Sequence, residues 1–118
     1  MKKRIASLAL ATTLLTGSLI GVSATSASAA GVCSLPAWYT NNSDGYAYLY
    51  KDANLRKAPY GECASKGIFA KGQKFYYWCL LVNAYDNYWV YGRIAGTDTT
   101  GWMYFDNLTN HHGSLELC

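Results

Sequence analysis

The chain reads as one small all-β barrel stapled by two disulfides. Three observations predict it. Short segments alternate side-chain character with a period of two, as strands do. Turn formers centred on Gly, Asn and Asp recur between them, and helical periodicity is almost absent. Cys33, Cys63, Cys79 and Cys118 form an even set with no C-x-x-C pair, which favours two bridges over a zinc site.

The elements follow in order. Met1-Lys2-Lys3-Arg4 is basic, Ile5 to Val22 is uncharged and apolar or small, and Ala27-Ser28-Ala29 is a small-x-small site. Together they predict a secretory signal peptide, residues 1–29, cut after Ala29. Thr, Ser and Gly interrupt the apolar stretch and no basic flank follows, which argues against a membrane span. Ala30-Gly31-Val32 before Cys33 matches a lipoprotein anchor site poorly. Residues 30–45 read as a polar, turn-rich arm, with Trp38 and Tyr39 as its anchors.

The barrel is expected over residues 46–108. Tyr46-Ala47-Tyr48-Leu49-Tyr50 alternates as a strand, with three Tyr on one face. Lys51 to Lys66 holds turn formers and reads as a long first loop, bending at Pro59-Tyr60-Gly61. Gly67 to Ala70 is a short strand, Lys71-Gly72-Gln73 a turn, and Lys74 to Val82 the longest strand. Asn83 to Asn87 turns the chain, Tyr88 to Ile94 is a strand, and Ala95 to Thr99 turns it again. Gly101 to Phe105 reads as the last strand, and residues 109–118 as a tail. Leu55, Ile68, Phe75, Leu81, Val90 and Leu108 are the core candidates.

Charge excludes some partners. Of 10 basic residues, Lys2, Lys3 and Arg4 leave with the signal, so 7 face 7 acidic ones in the mature chain. A neutral chain lacks the basic balance that phosphate backbones or anionic membranes select. Neither nucleic acid nor membrane insertion after cleavage is expected.

The residues suggest no catalytic constellation, cofactor or metal. His111 and His112 are neighbours in the tail, and strand neighbours face opposite sides. Ser65, Ser114 and the threonines have no nearby histidine or elbow motif. Asp44, Asp52, Glu62, Asp86, Asp98 and Asp106 are scattered through turns, and so small a barrel offers little cleft for a paired-carboxylate mechanism. The aromatic residues are the stronger signal. All 4 Trp, 11 Tyr and 3 Phe follow the signal, more rings than a core of this size holds. Tyr46, Tyr48, Tyr50, Tyr60, Tyr85, Tyr88 and Trp89 are the candidates for an exposed recognition cluster. A second reading has the arm covering Tyr46, Tyr48 and Tyr50.

Two motifs carry a resemblance. Asn54-Leu55-Arg56-Lys57-Ala58-Pro59 and Thr100-Gly101-Trp102-Met103-Tyr104 resemble the bacterial SH3 (SH3b) family, over residues 46 to 108. The resemblance implies an SH3-like barrel. It implies that Trp102 fills the barrel, that Gly101 permits close approach and that Arg56 braces the first loop. It places the ligand groove between that loop and the turn after the central strand, at Tyr60 and Tyr85 to Trp89; Tyr48 is a further expected ligand contact from the aromatic surplus. With both termini on one side, it favours Cys33–Cys118 and Cys63–Cys79. A hairpin about Lys71-Gly72-Gln73 supports the second of these, and the two other pairings stay open.

The family attaches to peptidoglycan or cell-wall peptide, usually beside a catalytic domain; here the module stands alone. The expected protein is thus a secreted, non-catalytic binding module, free or wall-associated. The alternative is an adaptor, inhibitor or toxin subunit that binds another secreted protein. The signal resembles those of Gram-positive bacteria.

Overall fold

The computed structural model describes residues 32–34 and 39–118. The expected signal peptide, residues 1–29, and the anchor Trp38 lie outside the described residues.

Seven strands follow in order: β1 Tyr46–Leu49, β2 Ala53–Arg56, β3 Ser65–Phe69, β4 Lys74–Val82, β5 Tyr88–Ile94, β6 Thr100–Tyr104 and β7 Leu108–His112. A 3-10 turn, Phe105–Asn107, separates β6 from β7. They form one antiparallel sheet in the order β3-β2-β6-β5-β4-β1-β7. The all-β class with two disulfides therefore holds. Ala47, Leu55, Phe75, Val90, Ile94 and Met103 on one face are fully buried or nearly so. No helix or second sheet among the described residues covers that face. The sheet must therefore curl around it, so that its own strands supply the opposite wall.

Two strands depart from the expectation. β2 lies inside the stretch read as loop, and all of β7 but Leu108 inside the stretch read as tail. Both are short and polar, so neither advertises itself by composition. β2 forms because Ala53 and Leu55 point into the core while Arg56 pairs with Trp102 of β6. β7 forms because Leu108 is buried and β1 offers it a free edge, with His112 opposite Tyr46. Of the core candidates, Leu55, Phe75, Val90 and Leu108 are buried. Ile68 is instead 70% exposed, because β3 is an edge strand paired on one side only. Leu81 is half-buried on the exterior.

Its exterior position has a definite cause. The β4–β5 register shifts between Tyr77 and Cys79, leaving Trp78 as an extra residue. Before this bulge Phe75 and Tyr77 face the core; after it Leu80 faces inward while Cys79 and Leu81 face out. Cys79 thus stands opposite Tyr91 in a second cluster, with Trp89, Trp102 and Tyr39 of the arm. Trp102 is fully buried there, on the outer side of the sheet rather than inside the barrel. A Cβ on Gly101 would lie 2.8 Å from Leu55 Cγ and 3.0 Å from the Arg56 carbonyl. Glycine is what lets β2 close onto β6.

The disulfides are Cys33–Cys63 and Cys79–Cys118, which corrects the favoured Cys33–Cys118 and Cys63–Cys79. Cys63 does not face Cys79 because β3 pairs with β2, three strands away from β4 in the sheet. The bulge turns Cys79 outward, where Glu116 to Cys118 run beside Leu80: its N–H donates to Glu116 and its carbonyl accepts from Cys118. Arm and tail also clasp each other. The Asp44 carboxylate accepts from the Ser114 N–H and hydroxyl, Ser43 Oγ accepts from the Glu116 N–H, and Asn42 Nδ2 donates to the Leu117 carbonyl. These bonds to Ser114 hold the Asp44 carboxyl below its usual range.

Candidate functional site

A cleft of about 400 Å³ opens on the exterior of β2, β5 and β6. Strand alternation sets its lining. Ala53 and Leu55 of β2 turn inward, so Asn54 and Arg56 turn out into the cleft. Val90 and Met103 turn inward, so the opposed pair Trp89 and Tyr104 turn out. Asn87 enters from the β4–β5 turn, Asn107 from the 3-10 turn, and Gly61, Lys51 and Asp52 from the ends of the first loop.

Trp89 and Tyr104 pack with ring centres 5.3 Å apart. Trp89 is only 5% exposed, and its indole Nε1–H is buried without a hydrogen-bond partner among the described residues. Such a donor left unmade costs about 1–3 kcal/mol. The Tyr104 hydroxyl donates to Asp106, which raises its pKa because the carboxylate stabilises the protonated phenol. Arg56 Nη1 donates to the Cys63 carbonyl at 3.1 Å and so braces the first loop while lining the cleft.

One end of the cleft is tied rigidly. Asn83 is buried in the β4–β5 turn; its Nδ2 donates to the Pro59 carbonyl at 2.7 Å, and its Oδ1 accepts from the Tyr85 and Asn87 N–H groups. Tyr60 accepts from the Ala84 N–H, and Tyr85 donates to Glu62 at 3.0 Å. That bond to Glu62, with its charge, holds the Tyr85 hydroxyl above its usual pKa. The two loops thus form one unit, with Gly61 and Asn87 on its cleft side.

The five expected ligand residues fall in different places. Trp89 forms part of the cleft, though buried rather than at the surface. Tyr60 is also buried, against Tyr85 with ring centres 5.3 Å apart. Tyr85 and Tyr88 are 59% and 51% exposed. Tyr88 stands opposite Val82, also exposed. Tyr48 lies elsewhere, on the exterior of β1, beside Tyr50 and Lys71. The single aromatic cluster expected is therefore divided. The described arm residue Tyr39 packs on Tyr91 and Trp102, not on the Tyr46, Tyr48 and Tyr50 face.

Sequence reasoning missed Asn54, Asn87, Asn107 and Tyr104. Two of them sat in plain view. Asn54 and Tyr104 belong to the two motifs themselves, one position from the inward Leu55 and Met103. The tail histidines are exposed on β7 and make contacts there. His111 Nδ1 is hydrogen-bonded to the Tyr77 hydroxyl, and its ring stacks on Phe105 at 4.8 Å, while His112 stacks on Tyr46 at 4.9 Å.

No protein-family profile, curated protein or solved structure matches the chain.

Proposed function

We propose that the protein is an exported, SH3b-type binding module that holds an extended peptide segment of the cell wall in the cleft between β2 and β5–β6. The lining of that cleft carries the reading. A peptide backbone is a row of alternating donors and acceptors. Asn54, Asn87 and Asn107 are side chains that both donate and accept, and they come from three separate elements. The Trp89 and Tyr104 rings supply flat, low-entropy contact area beneath them. The two disulfides suit the oxidising compartment that export provides.

Co-sedimentation with purified peptidoglycan in moderate salt tests the reading. The protein should pellet with the wall, and Asn54→Ala with Asn87→Ala should release it without lowering the melting temperature. Retention of that double variant at wild-type strength would remove the cleft from consideration. The exposed Tyr85, Tyr88 and Val82 favour a second reading, an adaptor for another secreted protein. It predicts that the protein stays in the supernatant and captures a discrete partner from culture medium.

A further inference from the structure

Net neutrality conceals a segregation of charge. All seven carboxylates lie outside the strands, whereas Arg56, Lys66, Lys74 and Arg93 stand on them. Lys74 and Arg93 meet on the exterior where β1, β4 and β5 run side by side. The Lys74 ammonium sits 4.0 Å from the centre of the Tyr46 ring and 5.2 Å from that of Tyr76. The Arg93 guanidinium lies 4.9 Å from the same Tyr76 ring. Their distances to that shared ring, 5.2 and 4.9 Å, keep them within about 10 Å of each other, one Debye length at about 0.1 M salt.

The rings hold these cations in place without neutralising them. Among the described residues neither pairs with a carboxylate, and Arg93 donates instead to the Thr97 carbonyl. The face continues into a hollow at each end. One, of about 320 Å³, brings Arg93 together with Tyr76, Trp78, Asn41 and Asp44. The other, of about 360 Å³, brings Lys71 together with Tyr48, Tyr50, Thr109 and Asn110. Asp44 and Asp52 bound the positive stretch; Asp44 is bonded to Ser114 and Asp52 to the Lys71 N–H. From residue 44 to residue 50 the chain spans about 20 Å.

We propose that this face is a second binding site, separate from the cleft, for a linear acidic polysaccharide. The exposed Tyr50 and half-buried Tyr48 offer flat surfaces for the C–H faces of sugar rings, and their hydroxyls meet sugar hydroxyls. Lys71, Lys74 and Arg93 meet the ring carboxylates, Arg93 with its planar fork. Spaced cations over this length complement a polymer that bears one charge per sugar. Nucleic acid fits less well: His112 stacks on one ring and Lys74 and Arg93 lie over the others, so no open slot remains for a base between rings. The inference does not rest on the reading of the cleft.

Polygalacturonate fragments are the probe, with neutral dextran and oligothymidylate as comparators, followed by calorimetry and amide chemical-shift mapping. Polygalacturonate should bind and shift the amides of β1 and the first half of β4. Binding should fade as salt rises from about 50 mM to about 300 mM. Lys74→Gln with Arg93→Gln should weaken it by about tenfold or more at unchanged melting temperature. Equal binding of dextran, tighter binding of oligothymidylate, shifts confined to the Trp89 cleft, or full affinity in the double variant would each overturn the proposal. If the double variant does not fold, Lys71→Gln, at an exposed turn, should still weaken binding measurably; no change there refutes it equally.

Discussion

Replacing Cys79 and Cys118 by Ala removes a bridge whose contribution follows from the structure. It closes a loop of 39 residues. In the chain-entropy treatment, cutting such a loop stabilises the unfolded chain by about 4 kcal/mol. A domain of this size has a total stability of about 4–13 kcal/mol. The variant should therefore lose a third or more of its stability. Cys33→Ala with Cys63→Ala opens a loop of 30 residues and should cost nearly as much, since the entropy depends only on the logarithm of loop length. The two variants separate in where they loosen. Only the Cys79–Cys118 bridge pins residues 116–118 along Leu80, and those residues in turn hold Asn42 and Ser43 of the arm. Urea unfolding should show a lower midpoint for both. Hydrogen exchange should quicken at the Leu80 and Gly45 amides only in the first. An unchanged midpoint, or a Leu80 amide still protected, would refute the reasoning. So would full stability in a Cys33→Ala, Cys118→Ala variant that retains a Cys63–Cys79 bridge.

Three other outcomes follow from single sites. Gly101→Ala should cost about 1–3 kcal/mol, because the new methyl has to displace Leu55; thermal unfolding that matches wild type would show the β2–β6 approach to be loose. Asn83→Ala should cost about 2–3 kcal/mol and weaken ligand capture in the cleft, because the bond that joins the two loops through Pro59 and two bonds that shape the β4–β5 turn are lost together; melting and binding measurements should move in concert. Burial pushes the Tyr77 hydroxyl from 10.0 up to about 12. The folded state then keeps a proton that the unfolded chain has released, so this stabilisation is intact below pH 10.0 and declines as pH rises towards about 12. Ultraviolet titration of phenolate alongside urea midpoints should show the last phenol to ionise lost in Tyr77→Phe.

Much of the sheet was legible. β1, β4, β5 and β6 alternate openly or carry enough aromatic residues to be read as strands, and glycine marks the β3–β4 and β5–β6 turns. β2 and β7 were illegible because Ala-Asn-Leu-Arg and Leu-Thr-Asn-His-His become strands only through partners distant in sequence. The disulfide pairing was illegible for a related reason. Hairpin folding about Lys71-Gly72-Gln73 supposes that β3 lies against β4, but β3 joins β2 at the far edge of the sheet. The cleft was half legible. Its position between the first loop and the β4–β5 turn followed from the resemblance, and Trp89 was named. Its amide residues were passed over because attention went to rings, while Asn54 and Tyr104 stood inside the motifs already in hand.

Trp78 shows how far one surplus residue reaches. The bulge it occupies makes β4 two half-strands of opposite facing, both paired with β5. Were Trp78 paired into the ladder instead of bulged, strict alternation from Phe75 would continue and turn Cys79 into the barrel, beyond reach of Cys118. A covalent link spanning 39 residues would be lost without either of its cysteines being touched. The parity of one strand is thus a condition for how the chain's far end is tied down.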